Sequence, residues 1–189
     1  LQHALDSDAV CGACAGREPA FDSARAALVY DDHARRLILD LKRGGRRDGL
    51  PVFARWMTAA GREALARADF LAPAPMHWTR LASRSFNQAA WLTQALARAT
   101  GAPWKPRALV RHKRRRSQEG LSASERRRNV GGAIRAGGRF EGKVVVVVDD
   151  VFTTGATLEA CARALRKAGA AEVHGLTLAR VVRPTDIVS

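Results

Sequence analysis

The chain has 189 residues, 47% of them hydrophobic and 26% charged, which fits one globular domain with at most a small appendage and a core that needs no covalent staples. Its 32 Lys and Arg against 18 Asp and Glu leave a formal charge of +14, so polyanions are the expected partners, although a screened field of this sign attracts nucleic acid and phosphorylated metabolites alike. Three irregularly spaced cysteines exclude a disulfide framework and favour a reducing, cytoplasmic compartment; no apolar run reaches bilayer length, so no membrane insertion is expected.

In chain order, residues 1–20 lack apolar periodicity and carry Cys11-Gly-Ala-Cys14, which reads as a loop or knuckle outside the main core. The sequence opens on Leu1 with no basic-then-apolar leader, and its natural start is expected to be missing. Residues 24–30 read as a strand. Ala34, Leu37, Ile38 and Leu41 then fall at the i, i+3, i+4, i+7 spacing of an amphipathic helix that Gly44-Gly45 should stop. A second helix is expected from Pro51, with Val52, Phe53, Trp56, Met57 and Ala60 on one face. Residues 69–75 read as a strand running into a loop, because Pro73 and Pro75 lack the amide hydrogens of a central strand.

Helical periodicity returns over 86–99. Residues 104–111 read as a short strand, and 113–128 are polar and strongly basic. The last third is a βαβ unit, with a buried strand at 144–148, a helix at 157–168 closed by Gly169, and a strand at 173–179. Strands alternating with helices predict an α/β fold built on a mostly parallel sheet covered on both faces, which explains why residues 144–148 are apolar without alternation. Ligands of such sheets sit beyond the carboxyl ends of the strands, where Asp149, Asp150 and the following loop are expected.

The run VVVVVDDVFTTGAT, residues 144–157, carries the chemistry. Thr153, Thr154, Gly155, Ala156 and Thr157 can offer several backbone amides and three hydroxyls to one phosphate, Gly155 allows close approach, and the dipole of the following helix favours the anion. Asp149 and Asp150 are placed to accept hydrogen bonds from two neighbouring sugar hydroxyls, or to contact a magnesium ion through water. Together these parts describe a ribose 5-phosphate site. A nucleoside triphosphatase would also need G-x-x-x-x-G-K-[ST], which the sequence lacks. A receiver domain is expected to need later strands than follow Asp150. Acids that merely cap a helix would leave the Thr-Thr-Gly-Ala-Thr run a coincidence.

This run resembles the phosphoribosyl diphosphate motif of the type I phosphoribosyltransferases: four apolar residues, two acids, two apolar residues and a Thr/Gly-rich loop. More closely, the chain resembles the ComF family of competence-associated phosphoribosyltransferase-like proteins. The resembling segments are Tyr30 through Leu41-Lys42, Ala72-Pro-Ala-Pro-Met-His77, Arg84-Ser-Phe-Asn-Gln88, Arg111 with Gln118 through Asn129, and the Asp-Asp motif. Ser85 stands where the family has Gly. The resemblance implies a parallel-sheet type I phosphoribosyltransferase fold with a basic flexible hood and a small N-terminal Cys knuckle. Its divisions are residues 1–22 for a partial zinc-ribbon-like segment, 23–183 for the phosphoribosyltransferase domain and 184–189 for a tail.

It also implies function. Magnesium phosphoribosyl diphosphate is the expected ligand, with Asp149 and Asp150 on the ribose, Thr153 to Thr157 on the 5-phosphate, and His77, Arg80, Arg84 and Arg111 on the diphosphate. An ordinary basic surface loop is the alternative for His77, Arg80 and Arg84. The basic stretch after Arg111 reads as a hood closing on diphosphate, a single-stranded DNA track or a solvated charge run, and its lack of aromatics argues against a full base-stacking platform. Cys11 and Cys14 supply half of a zinc site, with His3 a weak third candidate; otherwise they are free thiols. Cys161 reads as core. Two functions are therefore expected: transfer of the phosphoribosyl group to an acceptor the sequence does not name, or non-catalytic sensing of phosphoribosyl diphosphate or a nucleotide, coupled to single-stranded DNA or competence proteins.

Overall fold

The computed structural model describes residues 18–43, 47–76, 86–111 and 134–182. In chain order the elements are β1 (Ser23–Val29), α1 (Asp32–Arg43), α2 (Leu50–Ala60), α3 (Arg62–Arg67), β2 (Phe70–Pro73), α4 (Gln88–Thr100), β3 (Leu109–Arg111), β4 (Ile134–Ala136), β5 (Val144–Phe152), α5 (Ala156–Lys167) and β6 (Glu172–Arg180). Four strands form one sheet in the order β1-β6-β5-β2, every neighbouring pair parallel. The segment after α4 adds a parallel bridge from Trp104 to Leu71 beyond β2. β3 and β4 pair antiparallel as a separate ribbon, so residues 104–111 are not the single strand expected. A turn at Pro106-Arg107 divides them.

Both faces of the sheet are covered, as parallel strands require. Along β5, Val145 and Val147 pack with Leu158, Cys161, Ala162 and Leu165 of α5, while Val146 and Val148 pack with Ile38, Met57, Leu92 and Leu96 of α1, α2 and α4. Fully burying each such aliphatic side chain stabilises by about 1.5–3 kcal/mol, an upper figure because denatured chains already bury part of that surface. Gly175 lets α5 lie close on β6: a Cβ there would stand 2.2 Å from a methyl of Leu158.

Capping residues set the start of α1 and both ends of α4. Asp31 caps α1, its carboxylate accepting from the Ala34 amide at 2.8 Å. Asn87 caps α4 by accepting from the Ala89 amide. Gly101, at φ 74°, closes α4 in the left-handed conformation that glycine adopts without penalty. In α2 the buried residues are Phe53, Ala54 and Met57, whereas Val52 and Trp56 are 43% and 39% exposed. This corrects the face expected for that helix. Its sequence is apolar nearly all round, so periodicity alone cannot orient it. Contact with β1, β6 and α4 decides which side is covered.

Pro73 fits within β2 because of strand alternation. The Leu71 amide donates away from β5, to Pro103, and the Ala74 amide donates to Val148 on β5; the missing amide of Pro73 therefore falls on the side away from β5. Among the described residues no helix is long and apolar enough to cross a membrane.

Candidate functional site

Asp149 and Asp150 lie inside the paired length of β5, not beyond it as expected from the sequence. The ladder with β6 runs on through Val151↔Ala179 and Phe152↔Arg180, because β6 is itself nine residues long. On the other flank, β2 ends at Pro73 opposite Val148. The acids thus occupy a notch in the carboxyl edge of the sheet, paired to β6 on one side and past the end of β2 on the other. Both are half-buried, and Asp149 accepts a hydrogen bond from the Asp150 amide at 2.8 Å.

A loop of small residues follows and turns the chain into α5. Gly155 is its N-cap, at φ 74°, and a Cβ there would meet the Phe152 ring at 2.9 Å. Glycine is required twice over, for conformation and for space. The first-turn amides of α5 have no acceptor within the helix, as at any helix start, and Thr153, Thr154 and Thr157 are exposed beside them.

A cleft of about 340 Å³, measured with its open mouth, is lined by Val147, Asp149, Val151 and Phe152 of β5, Thr177 of β6 and Ala74 just past β2, and by Thr153, Gly155, Ala156, Thr157 and Leu158 of the turn and the first turn of α5. The fold therefore brings Asp149 together with four of the five predicted phosphate-loop residues. Thr154 is adjacent but does not line the cleft, and neither does Asp150.

Arg111, at the end of β3, has a buried Nε with no hydrogen-bond partner among the described residues. Burial pushes the Cys161 thiol far above its ordinary pKa; the charge of Asp149 pushes it further and that of Arg111 opposes. Asp149 and Arg111 therefore lie within electrostatic reach of the same thiol, on the α5 side of the sheet. Cys161 itself, fully buried, stays a protonated packing group, as expected.

Cys11, Cys14, His3, His77, Arg80 and Arg84 lie outside the described residues, as do Gly44-Gly45, the basic stretch 113–128 and the tail 184–189. Among the described residues, no three His, Cys, Asp or Glu side chains gather as an ion site. A cation at Asp149 and Asp150 would draw its remaining ligands from substrate oxygens and water, which suits magnesium.

Sequence reasoning missed several contributors. Asn87 donates its amide to the Ala74 carbonyl at 3.1 Å, tying the start of α4 to the rim of the cleft. Its position just before a helical period was the available signal. Gln88, 2% exposed, has a buried Nε2 without a partner among the described residues. Thr177 was detectable as a polar residue in an apolar strand. Phe152 gave no signal beyond being apolar.

The family model described as the phosphoribosyl transferase domain matches residues 82–186, which span α4, the β3-β4 ribbon and the whole β5-α5-β6 unit. Taken with the parallel sheet, this defines a type I phosphoribosyltransferase-like α/β fold. The DNA utilization protein YhgH of Escherichia coli O157:H7 is 31% identical over 184 residues, covering 95% of this chain and 81% of the relative. Competence protein F of Haemophilus influenzae is 33% identical over 178 residues, covering 90% and 78%. The chain belongs to the ComF family of competence and DNA-utilization proteins. Among solved structures, glutamine phosphoribosylpyrophosphate amidotransferase from B. subtilis is similar at 27% identity and a TM-score of 0.46, over 68% of this chain and 25% of that one.

Proposed function

We propose that this protein binds magnesium phosphoribosyl diphosphate and transfers its phosphoribosyl group to a nucleophilic acceptor. The observation that carries this reading is the cleft in which Asp149 faces Gly155, Ala156 and Thr157 across the carboxyl edge of the sheet. The first-turn amides of α5 and the threonine hydroxyls hold the 5-phosphate. Asp149 and Asp150 accept hydrogen bonds from the ribose hydroxyls, each charge-assisted bond contributing about 1.5–3 kcal/mol. Arg111 supplies its buried Nε donor to the diphosphate, joined in this reading by His77, Arg80 and Arg84. Magnesium, when bound, spreads the charge of the departing diphosphate.

In the reaction the bond from the anomeric carbon to the diphosphate oxygen breaks, with the electron pair leaving on diphosphate. The acceptor forms the new bond on that carbon, through an oxocarbenium-like state. No protein nucleophile takes part, and the chain acts by positioning and electrostatics. The basic stretch 113–128, which follows β3 and precedes β4 in the sequence, acts in this reading as a hood that excludes water from the departing diphosphate. Cys11 and Cys14 form half of a structural zinc site near the N-terminus. The test is acceptor-dependent diphosphate release, expected in the wild type and lost in Asp149→Asn/Asp150→Asn; equal release from both proteins would refute the assignment.

A second reading is favoured by the charge of +14 and by the relatives' names, which speak of DNA utilization and competence. Here the same cleft senses phosphoribosyl diphosphate or a nucleotide without turnover, while the basic surface engages single-stranded DNA or a competence protein. Ligand binding with no diphosphate release across acceptors, and salt-sensitive retention on single-stranded DNA, would select it.

A further inference from the structure

We infer that Phe21, which precedes β1 and lies outside the acid-and-threonine motif, is a positioning residue for the phosphate loop and acts through Phe152. The inference rests on the reading of residues 153–157 as a phosphate site. The loop is made of small residues, its three threonines are exposed, and it carries little side-chain bulk of its own to fix it. Phe152 supplies that bulk from below. Its ring packs so closely under Gly155 that an added Cβ would lie 2.9 Å from its Cζ, so a shift of the ring frees or displaces the residue that starts α5.

Phe152 is in turn braced by Phe21, whose ring meets it edge to face, with centroids 6.4 Å apart and planes at 89°. Phe21 stands between two anchors. Before it, the Ala20 amide donates to the Glu159 carboxylate on α5 at 2.9 Å. After it, Asp22 accepts from Arg166 near the end of α5 at 2.6 Å and from the Val173 amide of β6 at 2.7 Å, while its own amide donates to the Val173 carbonyl. Residues 20–22 therefore span both ends of α5 and press one ring against the ring that supports Gly155. Such bracing holds amides at the geometry an anion needs before it arrives.

The test uses the full chain with Phe21→Ala, the conservative Phe21→Tyr, and Phe140→Leu as a destabilised control. Phe140 belongs to the same core cluster but packs on Phe70 instead, at a centroid distance of 5.0 Å. Phe21→Leu replaces the alanine variant if that fails to fold. In the ligand-free protein, the two α-proton resonances of Gly155, split by the ring current of Phe152, are expected to converge in Phe21→Ala and to keep their separation in Phe21→Tyr and Phe140→Leu. Titration with ribose 5-phosphate should then show a Kd raised about tenfold in Phe21→Ala alone, the size a small misplacement of binding groups produces. Unmoved Gly155 resonances, or equal weakening in Phe140→Leu, would overturn the inference. A wild type that does not bind ribose 5-phosphate would instead sink the phosphate reading, while the α-proton comparison would still decide whether Phe21 positions the loop.

Discussion

The amino and carboxyl ends of the sheet are built largely from the same strands, yet they treat polar groups in opposite ways. At the amino end, Asp69 is held by Lys143 at 2.9 Å and by the Val144 amide at 2.8 Å, and Asp22 is held by Arg166. There too Ser23 Oγ lies 2.9 Å from His174 Nδ1, His174 Nε2 lies 3.1 Å from Glu172, and Glu172 pairs with Arg67. At the carboxyl end, the threonines after β5 are exposed and the first turn of α5 lines a cleft; on the neighbouring β3-β4 ribbon, Arg111 Nε is buried without a partner among the described residues. The first arrangement spends its hydrogen bonds on the fold. In the proposed function the second keeps them for a ligand; a buried donor left with no partner at all costs about 1–3 kcal/mol.

Substitutions can break or sharpen this contrast, and Gly155→Ala should have the largest effect. It forces an L side chain to φ 74° and into the Phe152 ring, so affinity for ribose 5-phosphate should fall about a hundredfold, as misplacement by about 1 Å can cost, and stability should fall by about 1–2 kcal/mol. Calorimetry and denaturant unfolding read the two separately. Arg111→Met should split function from stability. Diphosphate-ligand affinity falls about tenfold, equivalent to 1.4 kcal/mol, while the unfolding midpoint holds or rises because a buried donor without a partner among the described residues is gone. A midpoint that drops sharply would assign Arg111 to the fold instead.

At the opposite end, Ser23→Ala should cost about 0.5–1.5 kcal/mol of stability and leave ligand affinity unchanged; an affinity change would erase the contrast between the two ends. The smallest effect belongs to Asp69, whose carboxyl is held below its ordinary value of 3.8, first by the hydrogen bond from Lys143 and then by the Val144 amide. A depressed folded-state pKa gives stability that is present above the unfolded value and lost as pH falls through the folded one. The gap in denaturation midpoint between wild type and Asp69→Asn, measured at pH 6, should therefore close below about pH 4; a gap independent of pH would remove the ion pair from the account.

Where one local rule decides, the sequence was sufficient. Ala34, Ile38 and Leu41 are buried as their spacing predicts, although Leu37 of the same set is 37% exposed at the edge of that face; Gly169 closes α5 at φ 95°, and the valine run of β5 lies buried between two helix layers. Where a distant neighbour decides, the sequence fell short. The acids lie within β5 because β6 extends to Arg180, a fact that no window around Asp149 contains. Val52 and Trp56 face outward because other elements cover Phe53 and Met57. α3 was not expected at all; in the fold Gly61 separates it from α2. The same holds at the site: the motif announced Asp149 and the loop, whereas Phe21, Asn87 and Thr177 reach the cleft or its supports only through the fold.

In the proposed function, the carboxyl edge of this sheet is a phosphoribosyl diphosphate site anchored on its paired acids. Calorimetric titration of phosphoribosyl diphosphate with magnesium into the wild type and Asp149→Asn/Asp150→Asn tests it most directly. The account predicts wild-type binding and a loss of at least about a hundredfold in the double variant, the combined size of two charge-assisted hydrogen bonds, with thermal stability preserved. Equal affinity in the two proteins, or no binding by the wild type, would contradict it.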